Sequence, residues 1–229
     1  MSELFINQLQ VRFNGSLQAA LSIPTLVVAT GSHVAVTGVS GSGKTTLVNA
    51  ISGLERCDIG QVFWDEQDIG RLSESKRDRW RAARIGLVMQ DFHLYPGISA
   101  LDNVLLPSRF YRWRISPTLK ARAIELLELV GIHQGKQRVE TLSRGEKQRV
   151  AIARALLAQP SIVIADEPTA SLDEENGLQV IQLLTHFARE AKSTLICITH
   201  DSRLTNEMYR HITLENGRPV KDIAIGRPL

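Results

Sequence analysis

Gly38-Val39-Ser40-Gly41-Ser42-Gly43-Lys44-Thr45 decides how the rest of this chain is read. It follows His33-Val34-Ala35-Val36-Thr37, a short apolar run rich in β-branched residues, and leads into Thr45-Thr46-Leu47-Val48, which opens a helical pattern. Strand, glycine-rich loop and helix in that order form the setting in which a Walker A sequence binds phosphate. Glycines let the loop turn its N–H groups towards phosphate oxygens, and the helix N-terminus adds positive potential. Lys44 then reaches the β and γ phosphates of ATP, and the Thr45 hydroxyl ligates Mg²⁺. Gly38, Ser40, Gly41, Ser42, Gly43, Lys44, Thr45 and Thr46 are therefore the candidate nucleotide contacts.

Two further apolar runs end in polar residues. Ser161-Ile162-Val163-Ile164-Ala165 stops at Asp166-Glu167-Pro168, and Thr194-Leu195-Ile196-Cys197-Ile198-Thr199 stops at His200-Asp201. With residues 33–37 they read as buried parallel strands, whose carboxyl ends are where ligands sit in open α/β sheets. Asp166 stands where a Walker B carboxylate holds Mg²⁺ through water, and Glu167 is placed to polarise the attacking water. An acidic pair before a proline equally suits a plain helix N-cap, and only its pairing with the loop at 38–45 favours the catalytic reading.

Outward from this centre the pattern changes. Leu4 to Phe13 and Leu17 to Ala29 look like hairpin strands, and Gly60-Gln61-Val62-Phe63-Trp64 like another, which predicts an antiparallel β patch beside the main sheet. Leu101 to Val130 reads as helical, with Ala123, Ile124, Leu126, Leu127 and Val130 on one face and Gly131 as the stop. The expected fold class is α/β of the P-loop NTPase type, with a mixed, mainly parallel core sheet, an N-terminal antiparallel patch and an inserted helical subdomain. The expected organisation is a single domain, 1–229, with an ATP-binding core lobe from 1–90 and 156–229 and a helical lobe from 91–155.

The 229 residues suffice for one such domain with an inserted lobe, and 43% hydrophobic with 22% charged residues is ordinary for a globular protein. No apolar run approaches the roughly 18 to 20 residues of a membrane helix. Met1-Ser2-Glu3-Leu4-Phe5 lacks the features of a secretory leader, so cytoplasmic residence is expected. Cys57 and Cys197 lie in unrelated contexts and are expected to be free structural thiols. A net charge of +3 suits an anionic membrane surface or nucleic acid without selecting either.

In this order the residues resemble an ABC-type ATPase, and five further elements carry the resemblance. Gln90, closing Ile85-Gly86-Leu87-Val88-Met89-Gln90, resembles the Q-loop glutamine that senses Mg²⁺ and the γ phosphate. Leu142-Ser143-Arg144-Gly145-Glu146, running on through Lys147 to Leu156, resembles the family signature and its helix; the resemblance implies that Ser143 and Gly145 meet ATP held by the opposite subunit. Ser171-Leu172-Asp173 is similar to the D-loop, and His200 to the switch histidine at the γ phosphate. Phe13 is either the aromatic that stacks on adenine or a core residue. The resemblance implies a head-to-tail pair of chains around two ATP molecules, working on an integral membrane permease subunit at the cytoplasmic face.

Two signature positions depart from the family pattern: Arg144 replaces the usual glycine and Glu146 the usual glutamine. The site is expected to remain active, because Ser143 and Gly145 are retained. Arg81 to Pro96, Asp102 to Pro107, and Glu167 to Asp173 followed by Gly177 resemble cassettes of lipoprotein-release, macrolide-export and cell-division complexes. A small-molecule importer stays open as an alternative. A nucleic-acid ATPase is disfavoured, since the interval between loop and signature has no heptads. Ser108-Arg109-Phe110-Tyr111-Arg112-Trp113-Arg114 interleaves basic and aromatic side chains, which suits docking to a membrane partner, lipid headgroups or nucleic acid, or a plain solvated helix. Lys76 to Arg84 reads as an exposed basic helix face with Trp80 turned inward.

Overall fold

The three apolar runs become strands buried on both faces: β3 (His33–Thr37), β7 (Ile162–Asp166) and β8 (Thr194–Ile198). Their alternation sorts side chains into two cores. Val34, Val36, Ile162, Ile164, Ile196 and Ile198 face one, while Ala35, Val163, Ala165, Leu195 and Cys197 face the other. Burial of each large aliphatic side chain stabilises the fold by about 1.5–3 kcal/mol relative to exposure. The computed structural model describes residues 2–13, 15, 18–111, 114–170 and 172–225. The expected positions Leu17, Arg112, Trp113 and Ser171 lie outside the described residues.

The first core is closed by a four-stranded antiparallel sheet of order β2-β1-β4-β5, formed by β1 (Leu4–Val11), β2 (Leu21–Val28), β4 (Val62–Trp64) and β5 (Gln67–Asp68). β1 and β2 pair from Leu4↔Val28 to Val11↔Leu21. Both exchange their buried face at one rung: Leu4 and Ile6 give way to Leu9 and Val11, opposite Leu26 and Val28 giving way to Ile23 and Leu21. Gln8 there has φ +47°, and Pro24 has no N–H to give the ladder. Helix α1 (Lys44–Ile51) buries Leu47, Val48, Ala50 and Ile51 in the same core.

The main sheet has six strands in the order β10-β9-β3-β8-β7-β6, adding β6 (Ile85–Val88), β9 (Arg210–Glu215) and β10 (Arg218–Ala224). All neighbours are parallel except β9 and β10. The β9–β10 hairpin was not foreseen from sequence. Its charged, partly exposed residues mask the alternation that betrays a strand.

The second core is closed by α3 (Ala100–Arg109), α4 (Pro117–Leu129), α5 (Arg144–Leu156) and α6 (Glu174–Glu190). The stretch expected to be helical from Leu101 to Val130 divides where Ser116 caps α4 and Pro117 takes its first turn. Ile124 does not join the expected apolar face and is 43% exposed. Ala123, Leu126, Leu127 and Val130 follow the i, i+3, i+4, i+7 stripe, and Ile124 sits about 100° around from it. Gly131 ends the helix at φ +75° as expected, its N–H reaching Glu128 O while Ile132 N–H reaches Leu127 O.

Helix α2 (Glu74–Arg84) turns Trp80 towards the first core. Its basic side chains are less free than expected, because Arg77 and Arg81 both donate to Gly53 O just beyond α1. Cys57 and Cys197 are free and buried, and burial pushes both thiols up to about 12. Among the described residues no helix is long and apolar enough to cross a membrane.

Candidate nucleotide site

The glycine loop joins β3 to α1 with three positive φ angles: +150° at Gly38, +78° at Gly41 and +98° at Gly43. A side chain at Gly38 would press on Leu214 O and lie 2.5 Å from Ser42 Oγ; one at Gly43 would lie 2.8 Å from Ala20 O. The turn between β9 and β10 completes this wall, with Gly217 N–H donating to Ser42 O and Ser22 N–H to Gly217 O. Gly43 caps α1 with no side-chain bond, and no acidic residue occupies the first turn. The free N–H groups of that end suit an anion. Among the described residues the buried Ser42 Oγ has no partner, and Lys44 Nζ folds back to donate to Gly38 O and Val39 O at 2.8 and 2.9 Å.

β7 brings Asp166 beside this loop, where its Oδ2 accepts from Thr45 Oγ1 at 3.3 Å. Asp166 is 5% exposed; burial and the neighbouring Glu167 raise its pKa, against the Thr45 bond and Lys44. A buried carboxylate beside a hydroxyl is a donor set that fits a hard divalent cation, which takes one or two carboxylates and completes its shell with water and phosphate. Among the described residues no cluster of three or more His, Cys, Asp or Glu offers a rival metal site.

Glu167 has φ +47°, a left-handed conformation uncommon for glutamate, and its N–H donates to Ile198 O at 2.8 Å. That turn presents its carboxylate to His200, beyond the end of β8. His200 Nδ1 donates to Glu167, lying 3.0 Å from Oε1 and 2.9 Å from Oε2. The imidazole is otherwise open, with 78% of the side chain exposed. Phe13 is 53% exposed just beyond β1, which removes core packing as its role. Gln90 is exposed two residues past β6, and Thr46 is half-buried in the first turn of α1.

Ser143 and Gly145 stand elsewhere, at the N-terminus of α5. α5 packs on α3, α4, α6 and β6, whereas α1 packs on β7. Glu146 explains its own presence: Ser143 N–H donates to Glu146 Oε2 at 2.8 Å and Glu146 N–H to Ser143 Oγ at 3.2 Å, a reciprocal capping box. Asp173 caps α6, accepting from Asn176 N–H and Nδ2 at 2.9 and 2.7 Å.

Several connecting residues carried no warning in the sequence. Asn176 Oδ1 accepts from Arg149 Nη1 at 2.8 Å and leaves no room for a side chain on Gly145. Buried Gln148 donates to Pro168 O at 2.8 Å, joining α5 to the turn after Glu167. These are contacts between residues far apart in sequence, of types that usually decorate surfaces.

The family model described as ABC transporter matches residues 21–170, a span that contains the glycine loop, the signature and the acidic pair. The chain belongs to the ABC transporter family. It binds and hydrolyses ATP. Among ABC relatives, it is 39% identical over 193 residues to a lipoprotein-releasing system ATP-binding protein, LolD, of Saccharophagus degradans, covering 84% of each chain. It is 41% identical over 189 residues to LolD of Idiomarina loihiensis, covering 82% of each. The cassette MJ0796, solved as a dimer in a post-hydrolysis state with ADP and Pi, superposes with a TM-score of 0.88 at 32% identity, covering 99% of this chain and 100% of that one. A second dimeric structure of that ABC cassette matches equally.

Proposed function

We propose that two copies of this chain close head to tail around two ATP molecules, and that hydrolysis drives a separate integral membrane permease subunit in an export or lipoprotein-releasing system. The observation that carries this reading is the separation of the phosphate loop from Ser143 and Gly145, which sit on a helix packed elsewhere. One chain thus offers two half-sites. The dimeric cassettes it resembles support the pairing, and the relatives named for lipoprotein release support the output.

The free N–H groups at α1 and Lys44 hold the phosphates, with Ser40, Ser42 and Thr46 beside them. Thr45 and Asp166 hold Mg²⁺, with Gln90 as a further contact. When bound, that ion neutralises charge on the β and γ phosphates. Glu167 orients the attacking water and accepts its proton, and His200 holds the Glu167 carboxylate in place. Phe13 offers an exposed ring to adenine. Asp173 sets the start of α6 and, through Asn176, the backing of Gly145. Residues 91–155 act as the helical lobe and 1–90 with 156–229 as the core lobe. The permease docks on the helical side, where Phe110 and Tyr111 are 76% and 51% exposed, and holds the cassette peripherally at the cytoplasmic face. Nucleic acid is not an expected partner.

The test compares wild type with Glu167→Gln, alone and with the co-expressed membrane subunit, for ATP turnover and ATP-dependent dimerisation. Turnover by wild type and a lasting ATP-bound dimer of the variant support the reading. Tight ATP binding with a strictly monomeric variant refutes the head-to-tail pair.

A further inference from the structure

Arg144 is the residue in the signature for which the family pattern gives no reason, and it occupies an unfavourable place. It is the first residue of α5, where the helix dipole disfavours a cation. Glu146 in the same turn offsets part of that cost, but its carboxylate is engaged with Ser143 N–H. The guanidinium instead reaches across to the segment that leaves β6. Its Cζ stands 5.3 Å from the centroid of the Phe92 ring, within the range of a cation–π contact.

The same segment is gripped a second time from the same helix. Arg154, ten residues further along α5, donates from Nη2 to Phe92 O at 2.7 Å and from Nη1 to His93 O at 2.6 Å. Both carbonyls thus face one guanidinium, and His93 between them has a left-handed backbone, φ +47°, uncommon for a residue other than glycine. Further on, Asn103 accepts from Tyr95 N–H at 2.6 Å and donates to Tyr95 O at 3.1 Å, so the chain is tied to α3 as well. Between Val88, the last residue of the strand, and Phe92, the first held residue, only Met89, Gln90 and Asp91 span the gap.

We propose that Arg144 is a positioning residue: by stacking on Phe92 beside the Arg154 grip, it makes Gln90 and Ser143 move as one body. This rests on the reading that Gln90 faces bound nucleotide and Ser143 the nucleotide of the opposite subunit. A displacement of the 89–91 link is then delivered to the N-terminus of α5 through a side-chain contact. In a signature with glycine at this position the helix start would lack that contact. Arg154, which holds only backbone, fixes where the segment lies; Arg144 fixes how the ring is turned.

The experiment is a double-mutant cycle with Arg144→Gly, Phe92→Leu and the pair, with Arg144→Lys as the conservative variant. Two readouts are taken: steady-state kcat and KM for ATP, and amide hydrogen exchange of peptides covering 89–95 in the nucleotide-free protein. Each single change is expected to lower kcat about fivefold, with KM and Tm little altered. The pair should be no worse than either, and Arg144→Lys should retain most activity, since an ammonium also sits on a ring face. Exchange over 89–93 should rise in Arg144→Gly and Phe92→Leu and no further in the pair. Multiplicative losses in kcat, or unchanged exchange in Arg144→Gly, overturn the proposal. The two readouts separate the failures. A wild type without ATPase activity but with non-additive exchange refutes the nucleotide reading and leaves the Arg144–Phe92 coupling standing. Normal turnover, lost in Glu167→Gln, with additive exchange refutes the coupling alone.

Discussion

The imidazole of His200 reaches across from the end of β8 to the Glu167 carboxylate at the end of β7, with Nδ1 3.0 Å from Oε1. Glu167 is already turned towards it by its left-handed backbone. Two side chains that follow neighbouring parallel strands are thus joined into one unit.

If Glu167 activates water, Glu167→Gln keeps the hydrogen bond to His200 but loses the base. Turnover should fall by about 10²–10⁴-fold while nucleotide affinity is kept. His200→Ala leaves the base in place but releases it, so its kcat should lie between wild type and Glu167→Gln. Single-turnover hydrolysis of ATP checks the order, and His200→Ala falling below Glu167→Gln would reverse the assignment.

Two nearby carboxylates should show opposite pH linkage. The Arg203 side chain beside Asp201 holds its pKa down at about 2, with Arg203 Nη2 2.7 Å from Oδ2. Its stabilisation is therefore present above the unfolded value of about 3.9 and is lost as pH falls towards 2. Asp201→Asn should lower Tm at pH 7, with the difference shrinking below pH 4. Asp166 is raised instead, chiefly by burial, so its ionised form destabilises the nucleotide-free fold at neutral pH. Asp166→Asn should raise Tm at pH 7 without ligand, with the gain vanishing below about pH 4, and should abolish Mg²⁺-dependent turnover. Thermal melts from pH 3 to 8 check both signs.

Gly145→Ala should expose the packing behind the signature. The added methyl would lie 2.7 Å from Asn176 Cγ, and Asn176 cannot swing away without breaking its bonds to Asp173 and Arg149. A destabilisation of about 1–3 kcal/mol is expected in urea. Asn176→Gly removes the obstructing side chain, so adding it to Gly145→Ala should recover much of that loss; no recovery would place the strain elsewhere.

Glu146 should matter as a cap and not as a charge for catalysis. Glu146→Gln can still accept from Ser143 N–H and should be close to wild type in stability and turnover. Glu146→Ala breaks half of the capping box and should cost about 0.5–2 kcal/mol. Urea unfolding of the two variants decides between them, and equal losses would show that the carboxylate charge is what counts.

Much of this site was legible in linear order because its parts are continuous. A phosphate loop needs consecutive residues between one strand and one helix, so residues 38–45 could be read without a fold. The apolar runs ending at Asp166 and His200 were legible for a similar reason: strands covered on both faces need unbroken apolar side chains. The β1–β2 hairpin also showed, since each half alternates even though both change face at Gln8 and Pro24. Ile124 was misplaced because a run of apolar residues in sequence does not show which one falls off the helical stripe.

By itself, then, the sequence determined the chemistry of each segment and the order of the segments, because hydrophobic period and local turn geometry depend on neighbours along the chain. Only the tertiary structure decided which segments meet. It set the β9–β10 turn against the phosphate loop through Leu214 and Gly217, paired Glu167 with His200, and laid Arg144 on Phe92. None of these carries a local signal, since each joins residues whose approach is fixed by the order of strands in the sheet and by the way α5 lies across the chain leaving β6.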